Sequence, residues 1–175
     1  MAGPVVRTGR SATAATAEVA RLLRMMSTAR TWTPVLHWGL ALVVDAVPGA
    51  EMASVVVSDR GRLRPAGCTD ERAWRVDLAQ RQAGDGPCVQ ALHAGTTVRA
   101  DLTEVRVHWP AFARSAREQH VHGFISAPLA RGDPGPAALN LYSGRSHALD
   151  AVEQPRIDRV AHLISMSLRG FGFPD

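Results

Sequence analysis

The chain has 175 residues, 46% of them hydrophobic, which is enough for one domain to bury a sizeable core, and its two cysteines exclude a disulfide framework. No apolar run approaches the roughly 20 residues that cross a bilayer, and the N-terminus lacks an export signal, so we expect no membrane partner and a cytoplasmic location. The formal net charge of +4 resides in residues 1–30, since residues 31–175 balance 15 arginines against 15 carboxylates, which disfavours nucleic acid as a partner.

The N-terminal region divides into two segments. Residues 1–10 have little apolar content and are expected to form a disordered lead-in. Within residues 11–30, apolar side chains recur at helical spacing and predict an amphipathic helix of about four turns: Ala12, Ala15, Val19, Leu22, Leu23 and Met26. This helix must cover its apolar face against its own domain or against a second copy, and both alternatives stay open.

The next segment predicts a helix followed by a hairpin. Thr33 and Pro34 fit a helix start, and the helix is expected to run to Ala46 and to be buried on more than one side. Residues 52–58 and 62–68 then form two strands joined by a turn. Pro65 assigns the second strand to a sheet edge or a bulge.

A helical insert follows the hairpin. Thr69 or Asp70 caps a helix that runs to about residue 82, and the Gly84–Cys88 turn leads into a short helix over residues 88–92. A brief strand is predicted over residues 97–100. We expect residues 101–107 to form a loop and residues 108–119 a polar helix or an irregular segment.

The C-terminal part predicts two strands and a helix. Residues 123–130 and 137–143 are apolar strands separated by a loop rich in glycine and proline. Asp150 and Glu153 form a capping pair for the last helix, whose first turns Pro155 interrupts. Gly170 is the expected C-cap, residues 171–175 form a tail, and no room is left for an output domain. The order of elements predicts an α+β fold, an antiparallel sheet with terminal helices on one face and inserts on the other.

Several short motifs together resemble the GAF domain over residues 31–170, in the version that actinobacterial signalling proteins place ahead of an RNA-binding ANTAR domain. They are Gly84-Asp85-Gly86-Pro87-Cys88, Asp101-Leu102, Trp109-Pro110-Ala111-Phe112, Pro128-Leu129 and Ala138-Leu139-Asn140-Leu141-Tyr142-Ser143. The resemblance implies a five- or six-stranded sheet with a ligand pocket between the sheet and the inserted helices. It implies a stand-alone regulatory module that binds an unidentified small molecule, forms a homodimer through its N- and C-terminal helices, or does both, and signals to a separate partner protein.

Seven residues are candidates for ligand binding. Alternation along the last strand directs Leu139 and Leu141 to the terminal helices and Asn140 and Tyr142 to the insert side. A polar group in an apolar pocket orients a ligand or satisfies backbone, and both interpretations stay open. The full set of candidates is Cys68, Trp74, Cys88, Trp109, Phe112, Asn140 and Tyr142.

Other functions have weaker support from the sequence. The chain resembles free methionine sulfoxide reductase in architecture, but Cys88 matches only one of that enzyme's cysteines, so we expect no catalytic residue. Bilin attachment commonly needs a histidine beside the cysteine, and here Val89 follows Cys88. The pair His120 and His122 lacks further metal ligands, and haem is disfavoured as a cofactor. The main alternative is a dimerisation scaffold that binds no ligand.

Overall fold

The computed structural model describes residues 32–129 and 136–168. The predicted lead-in, the amphipathic helix within residues 11–30, Gly170 and the C-terminal tail lie outside the described residues. In chain order the elements are α1 (Trp32–Ala46), β1 (Met52–Asp59), β2 (Arg62–Cys68), α2 (Glu71–Ala83), α3 (Pro87–Ala94), β3 (Val98–Asp101), α4 (Leu102–His108), α5 (Pro110–Glu118), β4 (Gly123–Pro128), β5 (Ala137–Ser143) and α6 (Gln154–Leu168).

The five strands form one antiparallel sheet in the order β2-β1-β5-β4-β3. Helices α1 and α6 pack on one face of the sheet, called here the helix face. Helices α2 to α5 lie on the opposite side, called here the insert face. The predicted α+β architecture is therefore confirmed, with terminal helices and inserts on opposite faces.

The β1–β2 hairpin forms as predicted. Its turn has Arg60 and Gly61 at φ angles of 48° and 79°, the left-handed conformations that a tight two-residue hairpin turn requires. Strand β2 lies at the sheet edge, and its register shifts where Gly67 and Pro65 face consecutive residues of β1. Pro65 thus lies at an edge and beside a bulge, where its missing N–H costs no ladder bond.

The main apolar core lies between the helix face and the two terminal helices. Every second residue of β1, β4 and β5 packs there against one face of α1 and one face of α6. Its large members are Leu36, Leu40, Val55, Ile125, Leu139, Leu141, Ile157 and Ile164, all nearly inaccessible to solvent. Burial of such side chains contributes about 1.5–3 kcal/mol each, so this layer is the main source of stability.

The inserted helices begin and end at residues that the sequence marks. Asp70 caps α2 by accepting a hydrogen bond from the Arg72 backbone N–H at 2.7 Å, and Gly84 ends the helix in the left-handed conformation. Pro87 opens α3, and Gly95 ends it with a φ of 69°. Among the described residues, no helix combines the length and hydropathy needed to span a membrane.

Two local predictions are wrong. Residues 101–107 are not a loop, because Asp101 and Glu104 form a capping box that starts helix α4. Asp150 does not cap α6, because its carboxylate lies 2.9 Å from His147 Nδ1 and the helix begins only at Gln154. Pro155 therefore occupies the second helical position, where its lack of an N–H breaks no helical bond, and does not interrupt the helix.

Candidate functional site

The insert face is built from rows of side chains that run across the strands. The first row is apolar and aromatic and contains Met52, Tyr142, Phe124 and Ala100. The second row contains Ser54, Asn140 and Ser126 on three adjacent strands, continued by Val98 on β3. The three polar members, called here the polar row, are fully buried. An antiparallel register thus aligns single polar residues of three strands into one buried polar strip.

Asp77 of α2 lies over the polar row and joins it in a hydrogen-bond network. Its Oδ1 accepts a bond of 2.6 Å from the Tyr142 hydroxyl and one of 3.0 Å from Asn140 Nδ2. Asn140 Nδ2 also lies 3.5 Å from Ser54 Oγ. The carboxylate is only 2% exposed. Strand β5 therefore supplies both donors to one oxygen of a carboxylate that water barely reaches.

Three polar atoms of this site have no hydrogen-bond partner among the described residues. They are Asp77 Oδ2, Asn140 Oδ1 and Ser126 Oγ. A buried polar group without a partner costs about 1–3 kcal/mol, and most proteins leave few such groups. Three in one neighbourhood mark a place where the polypeptide alone does not complete its polar contacts.

The buried carboxylate also carries an electrostatic cost. Burial raises the pKa of Asp77 to about 6, and the interactions with Tyr142, Ser54 and Asn140 lower it only in part. No arginine or histidine within the described ranges forms an ion pair with it. In its ionised form Asp77 therefore places in the site a negative charge that no described cation balances.

Gln80 connects this network to helix α3. Its Nε2 donates to the Tyr142 hydroxyl at 3.3 Å, and its Oε1 accepts from the Cys88 backbone N–H at 2.7 Å. The chain passes close to Gln80 at Gly86, whose φ is 139° and where a Cβ would lie 2.6 Å from Gln80 Oε1. Only glycine fits this approach, so the start of α3 is held directly on the buried amide.

An open cleft of about 910 Å³ lies on the insert face beside β3. Helix α3 forms one wall, α4 and Trp109 form the other, and β3 forms the floor. Its lining mixes apolar, neutral polar and charged groups: Asp85, Val89, Gln90, His93, Ala94, Thr96, Thr97, Val98, Arg99, Ala100, Glu104, His108 and Trp109. Val98 lines the cleft and also pairs with Ser126, the last residue of the polar row. The cleft therefore begins next to the end of the polar row.

An aromatic cluster fills the space on the other side of the network. Phe112 of α5 packs edge-on against Phe124 with ring centroids 5.7 Å apart, and Phe124 packs edge-on against Tyr142 at 6.0 Å. Phe112 and Tyr142 are fully buried. The space predicted between the sheet and the inserted helices is thus filled by side chains around Tyr142 and open beside Trp109.

Of the two cysteines, Cys88 is fully buried and Cys68 is partly exposed. Cys88 is fully buried against Val56 and Ala138, and burial raises the pKa of its thiol well above the usual range. Cys68 is half-buried, and burial followed by the charge of Asp77 raises its thiol pKa as well. A nucleophilic thiol needs a lowered pKa. Neither environment favours thiolate formation.

The structure brings part of the predicted set together. Asn140 and Tyr142 project to the insert side, as the alternation along β5 predicts, and Cys88 lies next to their network. Trp109 lines the cleft, whereas Trp74 is 41% exposed on the outside of α2. The roles of all seven candidates in ligand binding remain predictions.

The sequence reasoning missed Asp77, Gln80, Ser54 and Ser126. A signal for the first two was present, because Ala73, Val76, Asp77 and Gln80 follow one helical stripe, and α2 buries that stripe. A carboxylate and an amide on the buried stripe of a helix indicate a polar partner beneath it. His120 and His122 do not assemble a metal site, and the described residues contain no group of three or more side chains placed to hold a metal ion.

Comparisons with solved structures identify the fold. The GAF domain of an Acinetobacter phosphoenolpyruvate-protein phosphotransferase superposes with a TM-score of 0.60 at 10% identity, covering 87% of this chain and 91% of that one. Another GAF domain gives a TM-score of 0.61 at 16% identity, with 86% and 84% covered. Free methionine-R-sulfoxide reductase from Neisseria meningitidis, solved with its substrate, gives 0.63 at 18% identity, with 93% and 94% covered. No family model and no curated protein matches the sequence. The chain therefore has the GAF fold, which regulatory domains and enzymes share.

Proposed function

We propose that this protein is a GAF-type regulatory module that binds a small molecule on its insert face. The observation that carries this proposal is the cleft of about 910 Å³ beside β3. Small-molecule sites usually enclose about 300–1,000 Å³ and combine apolar walls with a few convergent polar groups. The cleft has this size and this mixture, and Val98 on its floor pairs with Ser126 of the polar row.

The test is a ligand screen with a variant that fills the cleft. Metabolites would be screened by ligand-observed NMR and thermal shift against the wild type and against Val98→Trp, which places an indole on the cleft floor. Val107→Trp is the matched control, because Val107 is 75% exposed and does not line the cleft. We expect at least one hit that Val98→Trp abolishes and Val107→Trp retains. Absence of any such hit contradicts the proposal.

A second proposed role is dimerisation through the C-terminal helix. Leu163 and Met166 lie one turn apart on α6 and are 60% and 53% exposed, an arrangement typical of an apolar contact with another helix. Sedimentation velocity should show a dimer that dissociates in the Leu163→Gln/Met166→Gln double variant. Val107→Gln, which replaces an exposed apolar residue on α4, should leave the assembly unchanged. A monomeric wild type would refute this role.

The finer parts of the sequence prediction also stay proposals. A likeness to modules that precede ANTAR domains rests on the motifs alone, and a separate signalling partner would receive the output. The enzymatic alternative is opposed by the raised thiol pKa values of Cys68 and Cys88. We expect no reduction of free methionine sulfoxide above the background of the reductant. Activity abolished by alkylation of the cysteines would restore the enzymatic interpretation.

A further inference from the structure

We propose that Asp77 and the polar row form a binding subsite for the cationic nitrogen group of a small molecule, an ammonium or an amidinium, beneath helix α3. The inference rests on the proposed function, because it assigns the head group of a ligand whose remainder occupies the cleft. It adds the chemical class of that ligand, which neither the fold nor the cleft defines.

The orphaned atoms select a hydrogen-bond donor. Asp77 Oδ2 and Asn140 Oδ1 only accept hydrogen bonds, and Ser126 Oγ can do either. The orientation of the Asn140 amide is fixed by its neighbour, since Nδ2 donates to the Asp77 carboxylate at 3.0 Å and a flipped amide would turn its oxygen toward that negative charge. A ligand that completes this site must therefore present two or three N–H or O–H groups.

The charge selects a cation among such donors. Asp77 is 2% exposed, and no basic side chain of the described ranges pairs with it. Buried charges in proteins are normally paired or coordinated. A neutral donor would satisfy the lone pairs without balancing the charge, and an anion would be repelled. An ammonium or amidinium supplies the missing donors and the missing charge at once, in a short charge-assisted contact.

The neighbouring contacts hold the free oxygen in place. The Tyr142 hydroxyl and Asn140 Nδ2 both donate to Oδ1, so Oδ2 is the oxygen left for a ligand. Tyr142 is itself fixed by Gln80 and by edge-on packing on Phe124. The carboxylate is therefore oriented before a ligand arrives, which lowers the entropy cost of binding.

The cleft provides the approach. Strands lie about 4.8 Å apart, so Ser126 is about 5 Å and Asn140 about 10 Å from the cleft floor at Val98. Helix α3 covers this distance by packing on β3, β4 and β5. A chain of about six carbons in the cleft would carry a terminal nitrogen under α3, provided that α3 moves outward by the thickness of the chain.

The test uses three probes of equal length, hexylamine, hexanol and hexanoate, titrated near neutral pH into ¹⁵N-labelled protein. We expect hexylammonium to bind at least about tenfold more tightly than either of the others, the worth of one charge-assisted hydrogen bond. It should shift the Asn140 side-chain amide signals. Asp77→Asn, which keeps the shape of the side chain, should weaken hexylammonium binding at least tenfold and leave hexanol unchanged. Glu118→Gln removes an exposed carboxylate of α5 that does not line the cleft, and it should change hexylammonium binding less than threefold.

A second variant guards against a folding defect in the first. Ser126→Ala removes one orphaned acceptor and a single oxygen atom, and it should weaken hexylammonium binding severalfold while the spectrum keeps its native dispersion. Equal binding of all three probes, equal losses in Asp77→Asn and Glu118→Gln, or unchanged binding in both Asp77→Asn and Ser126→Ala would each overturn the inference. A probe whose binding is abolished by Val98→Trp but unchanged by Asp77→Asn would overturn this inference and leave the proposed function intact.

Discussion

The buried carboxylate of Asp77 predicts an unusual pH dependence of stability. Its pKa is raised from 3.8 to about 6 in the folded protein, whereas in the unfolded chain it returns to its ordinary value. A group with a raised folded pKa stabilises the fold fully below its unfolded pKa and loses that contribution as pH rises through its folded pKa. Asp77 therefore favours folding below about pH 4 and opposes it above about pH 6.

The size of this effect follows from the shift. A change of about two pKa units at about 1.36 kcal/mol each gives roughly 3 kcal/mol. The Asp77→Asn variant cannot titrate at this position and keeps an oxygen that can accept from Tyr142 and Asn140. Relative to the wild type, it should gain about 3 kcal/mol in free energy of unfolding between pH 4 and pH 8.

Urea denaturation followed by tryptophan fluorescence at a series of pH values measures this difference. Other carboxyl groups act at lower pH: hydrogen bonds lower the pKa values of Glu51, Asp70 and Asp101 below their ordinary values, so the stabilisation that these groups provide is lost only in acid. They are present in both proteins and cancel in the comparison. Curves for the wild type and Asp77→Asn that stay parallel from pH 4 to pH 8 would refute the reasoning.

Three further predictions concern the elements around the site. In chemical denaturation, Gly86→Ala should destabilise the protein by about 1–3 kcal/mol more than Gly84→Ala. Both glycines have positive φ, but only a Cβ at position 86 would contact Gln80. Equal losses of stability in the two variants would refute this close approach. Phe124→Ala should cost about 3–5 kcal/mol, since Phe124 is buried between two other aromatic rings, and a loss below about 1 kcal/mol would mean that the cluster is not packed as described. A thiol reagent should modify half-buried Cys68 before Cys88 in the native protein, as followed by mass spectrometry of the digested protein, and the reverse order would contradict the burial of α3 on the sheet.

Much of the fold is predictable because each strand and helix carries its own pattern. Alternation along β5 assigns Asn140 and Tyr142 to the insert side, and the turn residues Arg60 and Gly61 mark the hairpin. The α4 helix was missed although Asp101 and Glu104 have capping-box spacing, because the apolar residues that follow are too few to show a period.

The centre of the site was harder to predict, because it depends on tertiary contacts. Asp77 becomes notable only when α2 lies on β5 and places its carboxylate 2.6 Å from the Tyr142 hydroxyl. Ser54 and Ser126 are unremarkable strand residues until the register aligns them with Asn140. The buried stripe of a helix can be recognised in a single sequence. The register between two strands cannot, because it is set jointly by the turns and by the burial pattern of both strands.

Strand β5 lies at the middle of the sheet, and its residues contact opposite layers of the protein at one-residue intervals. Asn140 and Tyr142 belong to the buried network, while Leu139 and Leu141 pack in the core beneath α1 and α6. A displacement of this backbone by a fraction of an ångström on one side must therefore be taken up on the other, because both layers are close-packed. The contacts of the terminal helices and the contacts of the inserted helices are consequently separated only by the thickness of one β-sheet, so a change in packing on one face is felt on the other.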